Sequence, residues 1–280
     1  MAGWFICLLL ISLCQLLLAV RWWLYLGLLT VRPPWRSALL IYGQSWLFSL
    51  APGRSGEAIR ALWLRQRCGV PVAVGLAVLA AERITGLFAG LLLLVIFVCG
   101  TAPLIGTLVL VLGLGLLLVI SHPAMLSQLA DSLPDSTNIG FRGIPLRLLG
   151  HSLQFLSQSR RLLTLKGILF GVGTALVAWL LESGLLLYLW HSVGSSAGLG
   201  AAVVVRVVMG LSGVLSLLPA GLGVGDGTAL GLSLIYGLNS DQASGSILLF
   251  CLFSLGYLFV LGFCMLALHW VIGQPIKRVP

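Results

Sequence analysis

The chain has 280 residues, a mean hydropathy of +1.11 and 59% hydrophobic residues, whereas only 8% of its residues are charged. A water-soluble domain carries about 25% charged residues, so this composition excludes an ordinary soluble enzyme and indicates an integral membrane protein. The net charge of +9 would suggest nucleic acid in a soluble chain. In a membrane chain it is typical of basic cytoplasmic loops, and we expect no nucleic-acid partner.

The apolar stretches predict five spanning helices and two pairs of shorter helices. In chain order they are a helix at 4–25, a short pair at 37–67, helices at 71–100 and 104–120, an amphipathic connector at 122–166, a helix at 167–190, a second short pair at 199–238, and a helix at 244–270. A bilayer core of about 30 Å needs about 20 apolar residues per helix, so the members of the short pairs do not cross comfortably.

These lengths predict an all-α polytopic membrane protein, a helical bundle with two re-entrant (broken) helix pairs in an inverted-repeat arrangement. We predict a single transmembrane domain over 1–280. Its first half, 1–121, contains the re-entrant pair 37–67, and a cytoplasmic amphipathic connector follows at 122–166. The second half, 167–272, contains the re-entrant pair 199–238.

The basic residues predict the orientation. Of the 16 lysines and arginines, 13 fall in segments on one side, and Arg21, after the first long apolar run, is counted among them. The other three, Arg54, Arg83 and Arg206, fall within membrane segments. The positive-inside rule then predicts a multi-pass protein of the plasma (inner) membrane, with the N-terminus outside and the C-terminus in the cytoplasm.

Both short pairs are interrupted by a proline, then glycines, then an acid. The first break contains Pro52, Gly53 and Gly56 before Glu57, and the second contains Pro219, Gly221, Gly223 and Gly225 before Asp226. An interrupted helix exposes free N–H groups and a partial positive charge, which together can bind an anion. Broken helices in inverted repeats are typical of transporters.

Ionisable residues in or beside the membrane segments are the candidate binding residues, because charges at this depth are costly and by default mark a functional path. They are Arg54, Glu57, Arg60, Glu82, Arg83, Glu182, Arg206 and Asp226. Adjacent residues on a helix point about 100° apart, so Glu82 and Arg83 need partners on another element. We expect those partners from the first break, and we expect Arg206 and Asp226 to approach Glu182. The alternative is that all these residues form structural ion pairs.

The segment from Pro52 to Glu57 with Arg60, the Glu82-Arg83 pair and the segment from Gly221 to Asp226 resemble the lysylphosphatidylglycerol synthase transmembrane-region family. The resemblance covers about residues 20–273. It implies a flippase-like membrane domain that moves a charged or glycosylated phospholipid between leaflets, sometimes alongside a lipid-modifying enzyme.

We therefore expect a flippase for an anionic, aminoacylated or glycosylated (poly)isoprenyl- or phospho-lipid, with its head group held by buried arginines and half-helix N-termini. The expected partners are a lipid with a phosphate-bearing head group and a lipid-modifying transferase. We expect no enzyme activity, cofactor or metal. Two alternatives stay open. One is the membrane subunit of a lipid-head-group-modifying enzyme, with Glu57, Glu82 or Asp226 as general base. The other is a proton-coupled small-solute exporter, with Glu182 and Asp226 as proton carriers.

Overall fold

The computed structural model describes residues 2–48, 55–98, 162, 164–216, 218 and 223–272, and every regular element among these is helical. The elements in chain order are α1 Ala2–Leu28, α2 Trp35–Gln44 with a 3-10 turn at Ser45–Phe48, a 3-10 turn at Ser55–Ala58 leading into α3 Ile59–Cys68, α4 Val72–Val98, α5 Leu165–Ser192, α6 Leu199–Leu215, α7 Val224–Ile235, α8 Ser240–Cys251, a π-helical turn at Leu252–Gly256, and α9 Tyr257–Ile272. The predicted helix at 104–120 and most of the predicted connector lie outside the described residues.

Four helices among the described residues are long and apolar enough to cross a membrane. They are Gly3–Leu28, Val72–Val98, Leu165–Ser192 and Ser240–Trp270, and they confirm four of the predicted spans. Between 28% and 33% of the most apolar window of each span is buried inside the protein. The remaining surface is apolar, as at Phe5, which is 71% exposed. A helix bundle with such an exterior is suited to lipid.

The shorter helices have lengths that do not match the bilayer. At a rise of about 1.5 Å per residue, α2, α3 and α7 are each about 15–18 Å long, well below a hydrocarbon core of about 30 Å. We call α2 and α3, together with their two 3-10 turns, the first hairpin. We call α6 and α7, with the described residues between them, the second hairpin. Each hairpin stands between two of the long helices.

Capping side chains decide where two of the helices begin. At the start of α5, the Thr164 hydroxyl accepts a hydrogen bond from the backbone N–H of Gly167. At α8, Asn239 and Gln242 form a reciprocal capping box. The last span therefore begins at Ser240, four residues before the predicted start, and Asp241 lies in its first turn instead of in a loop.

The first long helices of the two halves run antiparallel. Near the end of α1, the Tyr25 hydroxyl donates to the carbonyl of Gly167 at the start of α5, at 3.2 Å. Earlier in α1, the Cys14 thiol donates to the carbonyl of Ala178, further along α5, at 3.7 Å. Successive residues along α1 therefore contact progressively earlier residues of α5, as in two antiparallel helices.

In each half, the last long helix among the described residues, α4 or the α8–α9 span, runs parallel to the first long helix of the other half. In α4, Thr85 packs over Gly171, and Gly90 packs against Trp179 one to two turns further along both helices. In the same way, Trp4 of α1 contacts Phe253 and Ser12 hydrogen-bonds Tyr257. Because α1 and α5 are antiparallel, α1 and α4 run in opposite directions, and so do α5 and α9.

The leading helix of each hairpin packs antiparallel against the last long helix of the other half. Gly43 of α2 lies under Met265, and Leu47 in the following turn lies against Gly262. The same relation holds for α6 and α4, where Gly90 meets Val207 and Gly200 meets Phe97. The packing between the halves is therefore reciprocal.

The helix directions determine at which end of the bundle the chain enters and leaves each hairpin. Since α1 and α4 run in opposite directions, the first hairpin begins and ends at one end. Since α5 and α9 also run in opposite directions, the second hairpin begins and ends at the other end.

Candidate functional site

Five charged side chains from three parts of the fold meet between α1, the first hairpin and α4. We call them the arginine cluster: Arg21 of α1, Glu57 and Arg60 of the first hairpin, and Glu82 and Arg83 of α4. Within the described part of the chain, the cluster holds three guanidinium groups against two carboxylates.

Glu57 binds two of these arginines through one carboxylate oxygen. Its Oε2 lies 2.7 Å from Arg60 Nη2 and 2.5 Å from Arg83 Nη2. Arg60 is also tied to the backbone, since its Nε donates to the Glu57 carbonyl at 3.3 Å. Glu57 therefore links the first hairpin to α4, as the sequence predicted.

Glu82 makes the other two arginine contacts of the cluster, to Arg60 and Arg21. Its Oε2 lies 3.3 Å from Arg60 Nη1, and its Oε1 lies 3.6 Å from Arg21 Nε. The ring of Tyr42 covers the Arg60 guanidinium at 4.7 Å. The prediction that Glu82 and Arg83 find separate partners on another element is confirmed. Arg54, the other partner expected from the first break, lies outside the described residues.

Arg21 is the cluster member that the sequence interpretation missed. Counting it on the cytoplasmic side was wrong, because it lies inside α1, is only 7% exposed and faces Glu82. The apolar run before it suggested that the span ended there. The available signal was the further apolar stretch after Arg21, which lets α1 continue to Leu28.

A second charged pair lies between α5 and α6. Arg206 Nη2 lies 2.6 Å from Glu182 Oε2, which confirms the predicted partnership. The guanidinium is stacked between two rings, 4.9 Å from the centroid of Trp179 and 5.2 Å from that of Phe250. Gly210 leaves the space for this stack, since an added Cβ would lie 2.6 Å from the Trp179 ring.

Asp226 does not join this pair. Its Oδ2 accepts the backbone N–H of Gly223 and its Oδ1 accepts the Cys251 thiol, each at 3.3 Å. The expectation that Asp226 approaches Glu182 is therefore wrong for the contacts described. The physical reason is local, because Asp226 lies in the first turn of α7 and caps the free N–H groups there.

The glycines around the two breaks serve close packing and the helix start. A Cβ at Gly56 would collide with the Phe48 carbonyl oxygen, so the two short segments of the first hairpin can approach only with glycine there. At the second hairpin, Gly225 packs against the Met209 carbonyl, and Gly223 has a positive φ of 89°. The other four break residues of the predicted set lie outside the described part of the chain: Pro52, Gly53, Pro219 and Gly221.

Trp179 connects the two charged groups. Its indole N–H donates to the carbonyl of Gly86 at 3.0 Å, one turn along α4 from Glu82, while its ring stacks on Arg206. From the contacts of Thr85 with Gly171 and of Gly90 with Trp179, Glu82 and Glu182 are about 16–21 Å apart along the bundle axis. The charges therefore lie at two depths within the same bundle.

The carboxylates of both charged groups, those of Glu57, Glu82 and Glu182, are occupied by arginines. Within the described residues, no three His, Cys, Asp or Glu side chains come together as a metal site. Outside the four spans, burial raises the pKa of the Cys68 thiol, which makes it a weak nucleophile.

The comparison with known families agrees with the resemblance found in the sequence. No curated protein matches the chain. A sequence model described as "Lysylphosphatidylglycerol synthase TM region" matches residues 1–262, a range that includes all of α1, both hairpins and both charged groups. The chain belongs to the lysylphosphatidylglycerol synthase TM region family.

Proposed function

We propose that the protein is a lipid flippase that moves a lipid with a phosphate-bearing head group between membrane leaflets. The lipid is anionic, aminoacylated or glycosylated, on a (poly)isoprenyl or a phospholipid anchor. The observation that carries the proposal is the arginine cluster, in which Arg21, Arg60 and Glu82 are buried among membrane-spanning helices. Charges at such depth are expensive and in membrane proteins mark a substrate path.

The arrangement of the hairpins supports transport over static binding. We propose that both hairpins are re-entrant and that the two halves form an inverted repeat. The antiparallel first helices and the reciprocal packing of α2 on α9 and α6 on α4 support this proposal. In transporters of this design, substrate sites lie near the midplane, where the two repeats meet.

The remaining basic residues support an orientation. The described lysines and arginines outside the two charged groups all lie at the end of the bundle where the first hairpin begins and ends: Arg32, Arg36, Arg65, Arg67 and Lys166. By the positive-inside rule we propose that this end is cytoplasmic, with the N-terminus outside, in a plasma (inner) membrane.

Arginine chemistry supports phosphate as the recognised group. A guanidinium is always charged, is more weakly hydrated than an ammonium, and matches phosphate oxygens with a rigid set of donors. Since the cluster's carboxylates contact arginines, we assign the cluster to binding and not to proton abstraction. Any covalent change to the lipid would then belong to a separate lipid-modifying transferase.

The proposal is tested by reconstituting the purified protein in liposomes that contain fluorescent phosphatidylglycerol or a fluorescent polyisoprenyl phosphate. A membrane-impermeant reductant reports the label in the outer leaflet. We expect bleaching to continue past the outer-leaflet fraction, and an Arg36→Gln variant to behave as wild type because Arg36 is an exposed flanking residue.

Bleaching that stops at the level of protein-free liposomes for every such lipid would contradict flipping. A deletion strain separates the enzyme alternative, because a flippase changes the sidedness of a lipid and leaves the chemical composition of the lipids unchanged.

A further inference from the structure

Arg21 differs from the other arginines of the cluster in how its donors are used. Arg60 has three nitrogens on Glu57 and Glu82, at distances between 2.7 and 3.3 Å. Among the residues that the structure describes, Arg21 has an ion-pair contact with Glu82 alone, and its separation of 3.6 Å is beyond hydrogen-bond distance. Its Nε and Nη1 are buried and have no hydrogen-bond partner.

A guanidinium in this state is incompletely satisfied. It carries five N–H donors and no acceptor, and a buried donor without an acceptor loses its hydration without compensation. Such a group is stabilised by an anion that arrives with free oxygen lone pairs. The unused donors therefore point to a ligand for Arg21 and not merely to a structural role beside Glu82.

The surroundings of Arg21 favour an anion that is attached to an acyl or isoprenyl chain. On α1, the residues before and after it include Leu13, Leu16 and Leu24, which are 49%, 49% and 38% exposed on the apolar outer surface. The cluster is most open at Arg83, whose side chain is 39% exposed, against 8% for that of Arg21. A lipid can keep its chain along the bundle surface while its head group enters beside Arg83.

We infer that Arg21 is the residue that holds the phosphate of the transported lipid, with its Nε and Nη1 donating to phosphate oxygens while Glu82 stays on Arg60. This inference rests on the proposed function and names the contact that recognises the substrate. Arg60 is a positioning residue in this scheme, because its donors are already held by Glu57 and Glu82.

The experiment measures equilibrium binding to the full chain in a neutral detergent. The probes are dihexanoyl-phosphatidylglycerol, which carries the phosphate on a lipid, and inorganic phosphate, which carries it free. Wild type is compared with Arg21→Gln, Arg21→Lys and the exposed-site control Arg36→Gln, and thermal unfolding of each variant checks that it is folded.

We expect Arg21→Gln to weaken binding of the lipid about tenfold or more, because it removes charge-assisted hydrogen bonds. Arg21→Lys keeps the charge but not the planar set of donors, so we expect a loss of about threefold. Arg36→Gln should bind as wild type, and inorganic phosphate should bind far more weakly than the lipid. Phosphate that binds as tightly as the lipid would overturn the assignment to a lipid head group.

Glu82→Gln separates a binding role of Arg21 from a structural one. If Arg21 holds the ligand, loss of the competing carboxylate strengthens lipid binding even though the protein becomes less stable. If Arg21 only neutralises Glu82, the double variant Arg21→Gln with Glu82→Gln recovers stability while lipid affinity stays constant in the whole series, and the inference is overturned. This readout holds even if Arg21→Gln alone does not fold.

The liposome assay distinguishes a wrong assignment of Arg21 from a wrong assignment of the flippase function. Unchanged flipping and unchanged half-saturating lipid concentration in folded Arg21→Gln would overturn the inference and leave the flippase standing. Absence of flipping in wild type would overturn the flippase itself.

Discussion

The two charged groups of the bundle differ in the number of arginines that each carboxylate must balance. The arginine cluster crowds three guanidinium groups around two carboxylates and leaves donors of Arg21 unused. The Glu182–Arg206 pair matches one carboxylate with one guanidinium, which lies between two aromatic rings, and here too one donor, Arg206 Nε, is buried without a hydrogen-bond partner. Both groups sit between long helices and a hairpin, so the same scaffold carries an excess of guanidinium groups at one place and a one-to-one ion pair at the other.

The largest loss of stability is expected at Glu57, whose carboxylate binds two arginines. Glu57→Gln leaves Arg60 and Arg83 without their shared partner, and removal of one member of a buried ion pair costs about 3–5 kcal/mol. We expect a strongly lowered unfolding temperature in detergent. The control Asp241→Asn changes an exposed acid in the first turn of α8 and should cost no more than about 1 kcal/mol. An unaltered unfolding temperature in Glu57→Gln would show that the cluster does not tie the hairpin to α4.

The Glu182–Arg206 pair should lose stability when one partner is replaced and regain it when both are replaced. Arg206→Met alone should cost about 3 kcal/mol, because Glu182 is then left as a largely buried charge whose remaining contact is the Cys14 thiol at 3.8 Å. The double variant with Glu182→Leu should recover most of this loss, since an apolar replacement of a buried pair is often neutral. A double-mutant cycle on thermal unfolding measures the coupling. No recovery would mean that the pair has further partners, as the arginine cluster does.

A smaller loss of stability is expected at Gly56, where two backbone segments of the first hairpin pack closely. Gly56→Ala places a methyl group against the Phe48 carbonyl at the crossing of the first hairpin, and we expect a cost of about 1–3 kcal/mol. Gly86→Ala on α4 is the matched control, because nothing lies within 4 Å of its added Cβ. It should be neutral or stabilise the helix by up to about 1 kcal/mol. Equal stability of the two variants in thermal unfolding would contradict the tight crossing.

The smallest effect is expected at Asp226. Asp226→Asn has one side-chain oxygen instead of two, so it keeps an acceptor for either the Gly223 N–H or the Cys251 thiol, and it loses the favourable charge at the start of α7, worth about 0.3–1 kcal/mol. We expect a small drop in unfolding temperature and an unchanged pH dependence of lipid flipping in liposomes. Loss of that pH dependence in Asp226→Asn would favour the proton-coupled exporter.

The long helices and the main ion pairs followed from local patterns in the sequence. Four spans are readable because apolar runs longer than about 20 residues have no other stable placement in a bilayer. The pairing of Glu57 with Arg83 and of Glu182 with Arg206 was predictable because isolated charges at such depth need a partner on another element. The start of α8 at Ser240 was missed because the Asn239 cap outweighed a polar stretch that resembles a loop.

By itself, the sequence determined the membrane class, four of the spans, the two hairpins with their acids, and the family. These depend on composition, length and short motifs, which act locally. Only the tertiary structure decided that Arg21 belongs to the arginine cluster and that Asp226 caps its own helix. Both outcomes depend on which helix faces which, because a charge within an apolar run can lie at the membrane surface or against a buried acid. The antiparallel crossing of α1 and α5 and the packing of α4 beside them place Arg21 against Glu82.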